Sequence, residues 1–137
     1  MSVAKEYLSP KGLFPTEGFG FTHVVTSAPG KTIHVSGQVA WNAERKLVGG
    51  NDLGAQAAQA LANLRTALEA AGATPRDVAF VRVFVVNYKP EHAGVLSPLL
   101  ARFFAGGPPP GSTWLGVQSL ANPAFLIEIE ATAVIAG

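Results

Sequence analysis

The run from Asp77 to Asn87, DVAFVRVFVVN, constrains the fold of this chain more than any other stretch. It is β-branched and aromatic almost throughout, the composition of a buried strand. Successive side chains of a strand point to opposite faces. Val81, Val83 and Val85 therefore share one face, and Phe80, Arg82 and Phe84 share the other. Both faces are mainly apolar, so both need cover.

The flanking segments predict what supplies it. Ala57, Leu61, Leu64, Leu68 and Ala71 recur at helical spacing, which predicts a helix with a buried stripe. Asn51 or Asp52 can cap its start, and Gly72 stops it. Gln56, Gln59, Asn63 and Arg65 are assigned to its other faces. A second helix is expected from Pro90, in its first turn, to about Phe104, with a stripe of Val95, Leu99, Leu100 and Phe103. Gly106-Gly107 and three prolines end it.

Strands account for the rest. Tyr7-Leu8 reads as a short first strand, stopped by Ser9-Pro10, and Lys11 to Gly20 as a loop punctuated by Gly12, Pro15, Gly18 and Gly20. Phe21 to Ser27 and the alternating Thr32 to Val39 read as strands joined at Ala28-Pro29-Gly30-Lys31, and together as a hairpin. Gly37 inside the second of these suggests a bulge or a close backbone approach. Thr113 to Leu120 and Phe125 to Ile135 close the chain around Asn122-Pro123. The order is β-β-β-α-β-α-β-β, an α+β domain of residues 1–137 whose two helices cover one face of a mixed six-stranded sheet. The opposite face is left for a partner, and a second copy of the chain is the simplest one. Burying about 1,000 Å² there would contribute on the order of 25 kcal/mol per subunit before entropy costs. Charged residues are only 14% of the chain, against roughly a quarter in ordinary soluble domains, which fits surface hidden in an oligomer or diluted by Ala and Gly.

Composition also excludes. Net charge is +1 with no basic run, which argues against a nucleic-acid partner. There is no cysteine, so thiol nucleophiles and thiolate metal sites are absent. His23, His34 and His92 match no metal-ligand spacing, and no metal is expected. No apolar stretch is long enough for a membrane span, and MSVAKEYLSP has no hydrophobic signal region, so the expected location is cytoplasmic.

Candidate chemistry concentrates in the last quarter. Pro109-Pro110-Gly111-Ser112-Thr113-Trp114 is a proline-turn entry into a strand, and Ile127-Glu128-Ile129-Glu130-Ala131 carries carboxylates on one face. The turn holds no Arg, Lys or His. As a strand alone, Glu128 and Glu130 read as a wet face. Ser112 and Thr113 read equally as ordinary turn residues or as hydroxyl donors to a weakly polar ligand. Trp114, Trp41 and Phe21 read as packing or as walls for a flat ligand. His34 reads as a hydrogen-bonded surface residue. Arg82 reads as one half of a buried interface ion pair with Glu128 or Glu130, or as a cation lining a cleft.

The element order, with Val35-Ser36-Gly37-Gln38-Val39, Gln56 to Leu64, Leu68 to Gly72 and Ile127 to Ala131, resembles the Rid (YjgF/RidA) family from about Phe19 to Val134. These imine and enamine deaminases are also labelled L-PSP endoribonucleases. The resemblance implies a chorismate-mutase-like fold, a homotrimer, small-molecule clefts between subunits and no cofactor. It assigns a water-activating role to Glu128. It places Phe21, Ser36, Gly37, Ser97, Ser112, Thr113 and Trp114 at the substrate. The family's deaminases grip a substrate carboxylate with an Arg whose position here falls on Ser112, so 2-aminoacrylate is not the expected substrate. Phe21 stands where the family has a cleft Tyr, and Ser97 approximately where it has an Asn. The expectation is an Arg-lacking deaminase. Its alternatives are a non-catalytic metabolite-binding trimer and a pathway-specific deaminase of a 2-aminomuconate-like substrate.

Overall fold

Strand β4 (Val78–Val86) sits between two neighbours, as its two apolar faces require. The computed structural model describes residues 4–11, 13, 15–18 and 21–137; Gly12 and Gly20 of the expected loop, and Phe19 at the edge of the resemblance, lie outside them. The other strands are β1 (Ala4–Leu8), β2 (Val24–Ala28), β3 (Lys31–Gln38), β5 (Gly111–Val117) and β6 (Ile127–Ile135). The helices are α1 (Leu53–Ala70) and α2 (His92–Phe103). The order is the expected one. The hydrogen-bond ladders divide the strands into a four-stranded sheet, β3-β6-β4-β5, and a separate pair, β1-β2, in place of the single six-stranded sheet expected, because β2 takes β1 as its partner and not β3.

β6 runs antiparallel to both β3 and β4, whereas β4 and β5 are parallel, so the sheet is mixed. The crossovers β3-α1-β4 and β4-α2-β5 bring both helices to one face. There Leu61, Leu64 and Leu68 of α1 and Leu96, Leu100 and Phe103 of α2 pack on Val81, Val83, Val85, Ile127 and Ile129 in one core. The other face carries Phe80, Arg82 and Phe84 of β4, opposite Thr132, Glu130 and Glu128 of β6. Thr113 and Leu115 of β5 continue this face on the outer edge.

α1 is well delimited. The Asp52 carboxylate accepts from Ala55 N–H at 3.2 Å. At the far end Gly72 adopts φ +83°, Ala73 N–H donates to Leu68 O and Gly72 N–H to Glu69 O, a Schellman closure.

Four local expectations need correction. β2 and β3 do not form a hairpin: β2 pairs with β1, and β3 with β6. A tight hairpin turn needs positive φ at its first central residue, and Pro29 is held near −65°. Gln56 does not sit on an outer face but is fully buried, because its amide satisfies three backbone groups of the surrounding loops. On α2 the buried stripe includes Leu96 rather than Val95, which is 42% exposed, since the helix turns about 100° per residue and leans on Leu96, Leu100 and Phe103. Pro90 lies outside the helix, two residues before His92.

Candidate functional site

An enclosed, mainly apolar cavity lies on the helix-covered face, at the outer edge of the sheet. β5 directs Ser112 and Trp114 towards it, because these residues pair with the core-facing Val81 and Val83. Above them α2 presents Ala93, Ser97 and Leu100, spaced four and three residues apart and so on one helical face, with Phe104 one turn further on. Phe21 closes the side. Its neighbour Thr22 is strapped to the proline turn: the backbone N–H donates to Pro110 O at 3.0 Å and Oγ1 donates to Pro109 O at 2.6 Å. The result is a cavity of about 250 Å³ walled by Phe21, Val81, Leu100, Phe104 and Trp114. Its polar side chains are Ser97 and Ser112. Trp114 is further fixed by an edge-to-face contact with Tyr88, ring centroids 6.4 Å apart.

Glu128 lies on the opposite face of the sheet, across from Phe84. Its carboxylate is half-buried because it folds over Gly37. The β3–β6 register shifts by one residue between Val35 and Gln38, so the strand bulges where the glycine lies. A Cβ at Gly37 would overlap the Glu128 carboxylate, so the close approach depends on glycine. The bulge that Gly37 suggested is present, and what approaches the glycine closely is the Glu128 side chain, not another stretch of backbone. Ser36 beside it is exposed, and its carbonyl accepts from the Gln38 side chain at 3.1 Å.

Seven of the eight candidate residues thus fall into two groups within one chain. Phe21, Ser97, Ser112 and Trp114 come together around the cavity. Ser36, Gly37 and Glu128 come together on the far side of the sheet. Thr113, the eighth, points to that far side too, but from the outer strand, and is exposed. Arg82 also lies there. Its Nη1 is 3.3 Å from Glu130 Oε2 and its guanidinium lies 5.0 Å from the Phe80 ring centroid, so it does not reach the cavity. The expected partner Glu130 is found, but the pair lies within one chain and is substantially exposed, not buried at an interface. With side-chain exposures of 49% and 36%, it contributes at most about 1 kcal/mol. Trp41 packs edge-to-face on Phe125, away from both groups. Ala93, Leu100 and Phe104 were not singled out as site residues. The signal was present as the stripe 93-97-100-104, half-hidden by the neighbouring core stripe 96-100-103.

The two groups can do different chemistry. The cavity can enclose a small apolar group and offer it two hydroxyls. The Glu128 carboxylate can accept a proton from water. Among the described residues no helix is long and apolar enough to cross a membrane.

Comparison with known proteins places this architecture. Residues 16–135 match the family model described as Endoribonuclease L-PSP. A protein from Dermatophagoides farinae named 2-iminobutanoate/2-iminopropanoate deaminase is 31% identical over 106 residues, 77% of this chain and 80% of that protein. A Rid-family protein from Yersinia pestis superposes with a TM-score of 0.91 at 46% identity, over 95% of this chain and 98% of its own. RidA from an Antarctic Psychrobacter gives a TM-score of 0.67 at 27% identity, over 80% and 88%. With its α+β fold, the chain belongs to the Rid (YjgF, L-PSP endoribonuclease) family.

Proposed function

We propose that this protein is a cofactor-independent imine or enamine deaminase of the Rid family that works as a homotrimer. Its clefts form where the cavity edge of one subunit meets the open sheet face of the next. The relative named as an imine deaminase supports the reaction class. The observation that carries the mechanism is the seating of the Glu128 carboxylate over Gly37. It sets a proton acceptor against the strand bulge on the open face of the sheet.

In the reaction Glu128 takes a proton from water as the water oxygen bonds to the imine carbon. The proton then goes to nitrogen, a second proton follows from the new hydroxyl through the same carboxylate, and the C–N bond breaks with its electron pair on nitrogen, so that ammonia departs as the carbonyl forms. Phe21, Ser97, Ser112 and Trp114 enclose the substrate, and Ser36, Gly37 and Thr113 border the water side. The sheet separates the two groups within one chain, which is why the cleft requires a second subunit. Apolar Phe84 and Leu115, the latter 37% exposed, supply surface for that contact.

The test is ammonia release from imines generated in place by an amino-acid oxidase. Glu128→Gln keeps the shape and loses the base, and its rate should fall about 10²–10⁴-fold. An unchanged rate in the variant would rule out this mechanism.

A further inference from the structure

We infer that the cavity selects imines without a carboxylate, whose carbon carries an aromatic or branched aliphatic group. This rests on the deaminase reading and goes beyond it by naming the substrate class. The walls come first. Phe21, Leu100, Phe104 and Trp114 make them apolar and aromatic, and among the described residues that line the cavity none is charged. Its volume of about 250 Å³ is below the ~300–1,000 Å³ of clefts for drug-sized ligands, so it fits one side-chain-sized group.

A carboxylate placed there would meet only the Ser97 and Ser112 hydroxyls. Neutral hydroxyls do not offset the loss of water around an anion in an apolar enclosure. Within one subunit, no cation is among the described residues that line the cavity. Arg82 belongs to the open face that the neighbouring subunit brings to the cleft, and there its guanidinium is already paired with Glu130. Lys89 and His92 line a different depression, beside Asn51 and Asn87. On the open face, among the described residues, the Glu128 and Glu130 carboxylates stand with the guanidinium of Arg82 and the imidazole of His34. A site assembled from these two surfaces has an excess of negative charge. It repels an anionic imino acid and favours a neutral imine, or its protonated iminium, beside Glu128. Hydrolysis then consumes one imine and one water and yields ammonia and an apolar aldehyde or ketone, with no redox partner.

The experiment compares two imines with the same phenyl group. One is the aldimine released from 2-phenylethylamine by a flavin amine oxidase; the other is the 2-imino acid released from phenylalanine by an amino-acid oxidase, with catalase in both. Acceleration over the uncatalysed rate should be at least ~10-fold greater for the aldimine, the discrimination expected when one substrate buries an unpaired charge. Ser112→Arg puts a guanidinium at the cavity and should reverse that order. Calorimetry with the stable pair 2-phenylacetamide and phenylacetate should show the amide bound more tightly. Faster turnover of the 2-imino acid by the unmodified protein, or phenylacetate bound as tightly as the amide, would overturn the substrate class while leaving the deaminase standing. Turnover of neither imine would overturn both.

Discussion

At the scale of single residues, Gly37 and Glu128 are one unit. The glycine is needed not for an unusual backbone angle but for the space its missing Cβ leaves to the carboxylate. That distinction gives a sharp prediction for Gly37→Ala. The atoms in the way belong to the far end of a flexible side chain, so Glu128 can swing aside at little cost, and stability should change by less than about 1 kcal/mol. The carboxylate would then sit a bond length or more from its working position, and deaminase turnover should fall about 10–100-fold. Thermal unfolding and ammonia release on the same preparation separate the two effects. A variant that is fully active, or inactive only because it has unfolded, would contradict the role given to this contact. Gly37 could be flagged from sequence because a glycine interrupts an alternating strand. That Glu128 is what approaches it could not, since the pairing of β3 with β6 joins residues about 90 positions apart.

At the scale of elements, α1 is tied to the rest of the domain by side-chain amides as well as by its leucines. Gln56 Nε2 donates to Gly50 O at 2.7 Å and Ala124 O at 2.9 Å, and its Oε1 accepts from Leu126 N–H at 2.9 Å. Asn63 Nδ2 donates to Val39 O and Trp41 O, both at 2.8 Å, and fixes the exit of β3. Gln56→Leu fills the same volume but leaves three backbone groups without partners in a dry site. At about 1–3 kcal/mol per unsatisfied buried group, a loss of about 3 kcal/mol or more is expected in urea unfolding. A loss below 1 kcal/mol would mean that water reaches these groups. The same elements show what sequence can reveal. Strand and helix identities followed from period and composition, and the central strand, both helices and their order were legible. Helix phase was less so: a polar Gln beside an apolar stripe looks solvent-facing until the loops it must satisfy are folded around it. Adjacency in sequence predicts that β2 pairs with β3, while Pro29 denies the turn that such pairing needs.

At the scale of the whole molecule, the sheet divides the candidate site. Phe21, Ser97, Ser112 and Trp114 lie on its helix side, and Glu128 with Gly37 lies on the open side. The sequence could name these residues through their family resemblance, but not that a single chain holds them apart, because that follows from strand direction and register. If catalysis needs both groups, each active cleft draws Glu128 from one subunit and the cavity from its neighbour. This can be tested by mixing two defects. Glu128→Gln removes the base and Ser112→Phe fills the cavity, so each variant alone should be inactive while remaining folded. Coexpressed with different tags and purified as hybrids, the two chains assort at random around a closed ring. Every hybrid ring of three, with either variant in the majority, has one cleft in which an intact Glu128 meets an intact cavity, so about a third of the clefts should be unmodified and about a third of the activity should return. Sites contained within one chain would give no recovery in any mixture, because every chain carries a defect. Sedimentation of the same hybrids counts the subunits, and a folded, active monomer would remove the need for a shared cleft altogether.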